Sequence, residues 1–181
     1  MPNDRLSSPG PLPAYPWCPT RCIYCDFNTY VEGEASLKAG YHTALRREIL
    51  ETGAALARPD LDTIFIGGGT PTSLPPEDLI ELVETVKTAF RLRPGAEVTV
   101  EANPGTLSIE YLRELRQGGI NRLSLGVQSF NDDELRFLSR LHDAAAARYA
   151  VEQARAAGFD NLSLDLILTC RSRVWPGGRP I

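Results

Sequence analysis

Three cysteines stand close together near the start of the chain, in the run CPTRCIYC. Cys18, Cys22 and Cys25 have the spacing C-x3-C-x2-C, and the fourth cysteine, Cys170, is far away in the sequence. Spacings this short let three thiolates face one point from a single loop. A structural zinc site normally takes four protein ligands, so three thiolates predict a metal site with one open position.

Two kinds of metal site fit three thiolates. A 4Fe–4S cluster held by three cysteines leaves one iron without a protein ligand, and that iron can bind a small chelating molecule. The alternative is a zinc knuckle completed by a distant histidine. The chain has two histidines, His42 and His142, and neither lies in ligand spacing with the cysteines. The residues favour iron–sulfur and leave zinc open.

Short runs rich in β-branched and other apolar residues alternate with stretches of helical periodicity. The predicted strands are 62–69, 97–103, 121–129 and 161–168, and the predicted helices are 37–56, 76–91, 107–117 and 143–157. This alternation predicts parallel strands with helical crossovers, in an α/β sheet or barrel.

Polar and glycine residues collect where these strands end. They are Gly67 to Thr70, Glu101 with Asn103, Gln128 with Ser129, and Asp165. The carboxyl ends of parallel strands are where α/β folds bind ligands, so these residues predict one shared site. A buried, unpaired carboxylate is costly, and a cationic ligand would satisfy both acids.

Composition sets broad limits on partners and location. Hydrophobic residues make up 43% of the chain, charged residues 23%, and the net charge is −4. This is an ordinary globular balance with no general attraction for nucleic acid, and no apolar run is long enough to span a membrane. The N-terminal run lacks the apolar centre of a signal peptide, which predicts a cytoplasmic protein.

The chain divides into three predicted parts. Residues 1–15 are proline-rich and irregular, 16–168 form the α/β core, and 169–181 form an atypical tail without periodicity. The alternation of strands and helices stops immediately after a strand. We therefore expect the tail to be the mark of a truncated or frame-shifted product of a longer protein.

The motifs together resemble the radical S-adenosylmethionine (radical SAM) superfamily. CPTRCIYC, GGGTPT, EANP, GINRLSLGVQSF, LSRLHD and LSLDLI follow one another in the family's order and cover residues 16–168. The ordered series resembles the branch that contains the oxygen-independent coproporphyrinogen III dehydrogenases and the related HemW-like heme chaperones. The resemblance implies a (β/α) barrel of TIM-barrel type, partial here and incomplete at both ends.

The resemblance also implies a site. Cys18, Cys22 and Cys25 would hold the 4Fe–4S cluster, and the amino and carboxylate groups of S-adenosylmethionine (SAM) would chelate the open iron. The implied SAM contacts are Tyr24, Gly68, Gly69, Thr70, Glu101, Gln128, Arg140 and Asp165. No catalytic side chain is implied, cleavage of SAM by this chain is left open, and Cys170 matches no family ligand.

Residues after the cysteines separate two functions within the branch. The dehydrogenases carry a further cysteine just past the triad, whereas here Asp26 and Phe27 follow Cys25. That pattern resembles the heme chaperones, which implies heme, a heme-acceptor protein and an electron donor as partners. The alternative function is coproporphyrinogen III oxidation in porphyrin biosynthesis, with a porphyrinogen as substrate. A more remote alternative is a zinc-stabilised binding module.

Some residues depart from the family pattern or receive other roles. Leu12 and Ala14 occupy positions where the family has tyrosine and histidine, so the first strand and its cofactor contact are predicted to be lost or replaced. Trp17 is expected to shield the cluster. Residues 46–48, on the first helix, are expected to form a solvated face, and Trp175 receives no role.

Overall fold

The computed structural model describes residues 13–31 and 33–168. Short strands precede the first helix, and strands and helices then alternate. In chain order the elements are β1 (Ala14–Tyr15), β2 (Trp17–Cys18), β3 (Tyr30–Val31), α1 (Ala35–Ala55), β4 (Asp60–Gly68), α2 (Pro76–Ala89), β5 (Arg91–Ala102), α3 (Ile109–Gln117), β6 (Arg122–Gln128), α4 (Asp132–Phe137), α5 (Ala144–Ala156) and β7 (Asn161–Leu166).

Five of the strands form one parallel sheet in the order β1-β4-β5-β6-β7. Each strand from β4 onward lies beside the next strand of this sheet in chain order, with at least one helix between them, as in a (β/α) barrel. The predicted α/β fold is confirmed, and the predicted strands and helices match observed ones within a few residues, except that β5 begins at Arg91.

The two faces of the sheet differ in chemistry because side chains alternate along a strand. Ile64, Val100 and Leu123 are fully buried in the apolar core. The neighbouring positions Thr99, Glu101 and Ser124 are polar, although Thr99 and Ser124 are also buried. The core therefore fixes the strands, and the polar face is available to a site at their carboxyl ends.

A first strand is present, whereas the sequence predicted that it is lost or replaced. Ala14 pairs with Gly67 and Tyr15 pairs with Gly68 in parallel register, and the Gly67 amide donates to the Pro13 carbonyl at 3.1 Å. A β-ladder uses backbone groups, so alanine in place of histidine does not abolish it. Position 12 lies outside the described residues, as does the predicted tail from residue 169 with Cys170 and Trp175.

Trp17 lies in the core and is not among the residues that line the cleft with the cysteines, contrary to the expectation that it shields the cluster. It is 5% exposed, and its ring packs against Tyr15 and Tyr41 at centroid distances of 5.2 and 5.0 Å. The Tyr41 hydroxyl donates to the Ala14 carbonyl at 2.6 Å. These aromatic residues attach β1 and β2 to α1, and so support the segment that ends at Cys18.

The predicted solvated face on α1 is wrong for Arg46. Its guanidinium contacts a Glu81 carboxylate oxygen at 2.6 Å and donates to the Thr85 hydroxyl at 3.1 Å, so it joins α1 to α2. Arg47 is exposed as expected and pairs weakly with Glu51, at 3.5 Å. Sequence periodicity predicts which face of a helix a residue lies on. It does not predict that the long Arg46 side chain reaches an acid on the next helix.

Candidate functional site

A cleft lies at the carboxyl ends of β4, β5, β6 and β7, facing the loop that carries the cysteines. All eleven residues that the family resemblance assigned to the cluster and to SAM line it: Cys18, Cys22, Tyr24, Cys25, Gly68, Gly69, Thr70, Glu101, Gln128, Arg140 and Asp165. The predicted strand-end residue Asn103 lines it as well, while its side chain caps a short turn by accepting from the Gly105 amide. Gly67 and Ser129, which the sequence also predicted for the strand-end site, are not among the lining residues, and the buried Ser129 hydroxyl donates to the Glu134 carboxylate. The structure therefore brings most of the predicted site residues together.

The cysteines are spread more widely than the ligands of a single metal ion. Among the described residues, the one group of three potential ligands whose atoms all lie within 4.8 Å of one another is His42, Asp78 and Glu81. The three cysteine sulfurs are therefore not all that close together. Thiolates bound to one zinc lie about 3.8 Å apart, given a Zn–S length of about 2.3 Å. Three sulfurs that are separated in this way could each bind a different iron of a cluster.

Cys18 is half-buried at the end of β2. Burial raises the pKa of its thiol, and the neighbouring Cys25 and Cys22 raise it further, whereas a hydrogen bond from the Thr70 hydroxyl and the charge of Arg140 lower it. A metal would bind the thiolate and displace the proton, so metal binding would oppose the effect of burial.

The turn after β4 requires glycine. Gly68 has φ +114°, and a Cβ there would lie 2.7 Å from the Tyr15 carbonyl oxygen. A Cβ on Gly69 would lie 2.4 Å from the Trp17 carbonyl oxygen and 3.0 Å from the Cys18 sulfur. The glycines therefore allow the backbone of this turn to pack directly against the segment that carries Cys18.

Every backbone amide of this turn already has an acceptor inside the protein. The amides of Gly67, Gly69 and Thr70 donate to backbone carbonyls of residues 13, 15 and 17, at 3.1, 2.6 and 2.8 Å. The Gly68 amide donates to a Glu101 carboxylate oxygen at 2.9 Å. A glycine-rich turn with free amides would cradle a phosphate. This turn therefore has no free backbone amide to offer an anion.

Two carboxylates lie on the polar side of the cleft. Burial raises the pKa of Glu101, and the charge of Asp165 adds to the shift, against a lowering by the Gly68 amide. Asp165 accepts a hydrogen bond from the Ser124 hydroxyl at 3.3 Å. Ionised carboxylates in a partly buried position are costly without a positively charged partner. Glu101 and Asp165 therefore make this side of the cleft selective for a cation.

Arg140 reaches into the cleft from the segment after α4. One guanidinium nitrogen donates to the Gly126 carbonyl at 2.6 Å, and the other terminal nitrogen contacts the Cys22 sulfur at 3.4 Å. Its Nε is buried and has no hydrogen-bond partner among the described residues. Arg140 is therefore a residue of the site and not a solvated surface charge.

Tyr24 and Gln128 also line the cleft. Burial raises the pKa of Tyr24 to about 12, Arg140 opposes the shift, and Cys22 adds to it. Gln128 has φ +68°, in the left-handed region that residues other than glycine seldom adopt. Such backbone strain is found preferentially at functional sites.

The sequence reasoning missed two residues of β6 that line the cleft. Ser124 holds Asp165, and Gly126 offers its carbonyl to Arg140. Both lie at every second position between Arg122 and Gln128, in the run RLSLGVQ. This alternation of apolar and polar residues was the available signal, because it places Ser124 and Gly126 on the same face as Gln128.

The residues fit an iron–sulfur cluster together with a cationic, chelating ligand. Three cysteine sulfurs face the cleft, carboxylates and occupied amides favour a cation, and Arg140 is suited to a carboxylate. No helix in the described part of the chain has the length and hydrophobicity needed to cross a membrane.

Comparisons with known proteins agree with this chemistry. Residues 12–171 match the model of the Radical SAM superfamily. The heme chaperone HemW of Bacillus subtilis is 44% identical over 155 residues, which are 84% of this chain and 40% of that protein. The oxygen-independent coproporphyrinogen III oxidase of Bradyrhizobium diazoefficiens is 36% identical over 153 residues, 84% of this chain and 34% of that protein.

Among solved structures, coproporphyrinogen III oxidase (HemN) from Escherichia coli superposes with a TM-score of 0.80 at 29% identity. The superposition covers 93% of this chain and 40% of that one. The chain thus spans about two fifths of the length of HemW from Bacillus subtilis and of HemN from Escherichia coli.

Proposed function

The chain belongs to the radical SAM superfamily, and on that premise we propose that it is the radical SAM core of a heme-handling protein of HemW type. In this proposal Cys18, Cys22 and Cys25 hold a 4Fe–4S cluster, and SAM binds at the open iron. The protein binds heme and delivers it to an acceptor protein. The observation that carries the proposal is the meeting of three cysteine sulfurs, two carboxylates and one guanidinium in a single cleft.

Each wall of the cleft suits a different part of SAM. The turn from Gly67 to Thr70 has its amides occupied, and the Thr70 carbonyl accepts from Ser73, so the carbonyl oxygens of the glycines are the groups suited to accept from the amino group of the methionine portion. Glu101 and Asp165 offer negative charge and acceptors to the sulfonium and the ribose hydroxyls. Arg140 supplies donors for the carboxylate, and Tyr24 an aromatic surface for the adenine.

When bound, the cluster supplies the electron that can cleave SAM reductively. The protein's own residues position the ligand and limit access of water. Gln128 and Ser124, on β6, fix the floor of the cleft, because the Gln128 carbonyl accepts from the Ile167 amide at 2.9 Å and Ser124 orients Asp165.

Three features favour heme handling over porphyrinogen oxidation. Asp26 and Phe27 follow Cys25 where the dehydrogenases carry a further cysteine, and Phe27 is 68% exposed. The chain is also 44% identical to a heme chaperone and 36% identical to an oxygen-independent coproporphyrinogen III oxidase. Coproporphyrinogen III dehydrogenation is the second candidate, supported by the superposition on HemN. For either of these two functions, the proposal includes an electron donor and a reducing, cytoplasmic location.

Anaerobic reconstitution of the 181-residue chain with iron and sulfide tests the cluster. We expect about four irons and four sulfides per chain, and loss of the cluster in each of Cys18→Ser, Cys22→Ser and Cys25→Ser. Cys170→Ser is the matched control and should retain it. A protein that takes up one zinc and no iron, or one that loses the cluster only in Cys170→Ser, would contradict the ligand assignment.

SAM binding and heme binding are measured on the same sample. Addition of SAM should change the electron paramagnetic resonance (EPR) spectrum of the reduced cluster, because the ligand binds an iron directly. Titration with heme should produce a saturable Soret shift. Anaerobic decarboxylation of coproporphyrinogen III, without saturable heme binding, would favour the dehydrogenase instead.

A further inference from the structure

Two of the three cysteine sulfurs accept a hydrogen bond from a side chain of the cleft. The Arg140 guanidinium donates to the Cys22 sulfur, and the Thr70 hydroxyl donates to the Cys18 sulfur, each at 3.4 Å. These distances are within the usual range for hydrogen bonds to sulfur, which is larger than oxygen. The two donors come from different parts of the fold: Thr70 lies in the turn after β4, and Arg140 lies in the segment after α4.

We propose that Arg140 and Thr70 set the reduction potential of the cluster by donating hydrogen bonds to two of its sulfur ligands. Arg140 has the larger effect because it is charged. The inference rests on the proposed function, since it requires a cluster at these cysteines. It gives both residues a role beyond contact with SAM.

Arg140 is held in place for this role by the backbone of β6. Its second terminal nitrogen donates to the Gly126 carbonyl at 2.6 Å, which fixes the plane of the guanidinium beside Cys22. The side chain is half-buried, and its Nε is fully shielded from solvent. Arginine keeps its charge at any pH that the protein tolerates. The cluster therefore meets a permanent positive charge in a partly desolvated cleft.

A positive charge and N–H donors at a thiolate stabilise the state of the cluster that carries one more electron. Hydrogen bonds to the sulfurs and nearby charge are among the main determinants of iron–sulfur potentials. Arg140 should thus make the cluster easier to reduce. Thr70 acts in the same direction through a neutral donor, and its hydroxyl is held because the residue is 6% exposed and its amide donates to the Trp17 carbonyl.

The test is a potentiometric titration of the reconstituted 181-residue chain, monitored by EPR, in the absence of SAM. Omission of SAM separates an effect on the sulfurs from any contact with the ligand. Arg140→Gln should make reduction at least tenfold less favourable, a midpoint more negative by 59 mV or more for one electron. Arg140→Lys should shift it less, because an ammonium keeps the charge but cannot hold both partners.

Thr70 offers an independent pair of variants. Thr70→Val removes the donor at nearly constant volume and should shift the midpoint in the same direction by less than Arg140→Gln does. Thr70→Ser keeps the hydroxyl and should have the same midpoint potential as the wild type, which a purely structural role would not predict. Arg136→Gln is the charge control, because Arg136 is exposed on α4 and pairs with Asp133. Its midpoint should equal that of the wild type.

The outcomes separate the two claims. A wild-type chain that assembles no cluster overturns the proposed function, and this inference with it. A cluster that forms normally but has the same midpoint in Arg140→Gln, Thr70→Val and Arg136→Gln overturns only the inference. If Arg140→Gln assembles no cluster, the Thr70 pair and Arg140→Lys decide: equal midpoints in Thr70→Val, Arg140→Lys and wild type overturn the inference.

Discussion

The contact between the glycine turn and the strand that carries Cys18 can be tested with one methyl group. A Cβ on Gly69 would lie 2.4 Å from the Trp17 carbonyl oxygen, 1.0 Å short of the 3.4 Å at which ordinary contact begins. The obstructing atom belongs to the backbone, so no rotation of a side chain relieves the clash. Gly69→Ala must therefore move β2 away from the turn.

The energetic cost follows from what that movement breaks. Overpacking costs about 1–3 kcal/mol. The amides of Gly69 and Thr70 donate to residues 15 and 17 at 2.6 and 2.8 Å, and each such bond contributes about 0.5–1.5 kcal/mol. We expect Gly69→Ala to lower the free energy of unfolding by about 2–6 kcal/mol. Because the new Cβ also lies 3.0 Å from the Cys18 sulfur, the displaced cysteine should hold the cluster poorly.

The assay is urea denaturation of the metal-free chain followed by circular dichroism, and iron content after anaerobic reconstitution. Gly40→Ala is the matched control, since no atom lies within 4 Å of a Cβ at that position of α1. It should stabilise the protein by about 0.5–1 kcal/mol and leave iron uptake unchanged. Equal denaturation midpoints and equal iron contents for the two variants would refute the reasoning.

Three further predictions concern Glu101, His142 and Leu123. Because burial raises the pKa of Glu101, folding favours its protonated form, and stability is lost as pH rises through the folded-state pKa. Glu101→Gln should therefore raise the urea midpoint of the metal-free chain at pH 7 while weakening SAM binding to the reconstituted chain about tenfold by calorimetry; a lower midpoint would contradict this. Burial and the charge of Arg140 lower the pKa of His142, so the stability it contributes is present above its ordinary pKa of about 6.5 and is lost as pH falls below that value. Urea midpoints between pH 7.5 and 5.5 should fall less steeply in His142→Gln, and an unchanged slope would exclude this role. Leu123→Ala, at a fully buried position of β6, should cost about 2–5 kcal/mol in the same urea assay, and a cost below 1 kcal/mol would show that the strand is not part of the core.

The elements of the fold could be predicted from the sequence because each has a local signal. β4, β6 and β7 were found from short apolar runs, and the helices from a spacing of three to four residues together with their boundaries. Ser108 and Asp143 cap α3 and α5 by accepting from backbone amides at 3.2 and 2.7 Å. α4 was missed because six residues are too few to show a helical period.

The sequence by itself determined most of the residues that line the cleft. Cysteines four and three residues apart must share a loop, and residues that end neighbouring parallel strands must lie along one edge of the sheet. These two arguments predict a cysteine site and a strand-end site, and the resemblance to the radical SAM superfamily implied that Cys18, Glu101 and Asp165 share one site, although the three belong to distant parts of the chain.

Only the tertiary structure decided what each of those residues contacts. It showed that β1 persists through backbone pairing, that the amides of the glycine turn are occupied, and that Arg140 donates to the sulfur of Cys22, 118 residues away in the sequence. The physical reason is that a residue type fixes how many hydrogen bonds a group can make, whereas the partner depends on distances that arise when separate elements pack. The sequence therefore predicted most of the residues of the site, and the structure showed which of them donate hydrogen bonds to which acceptors.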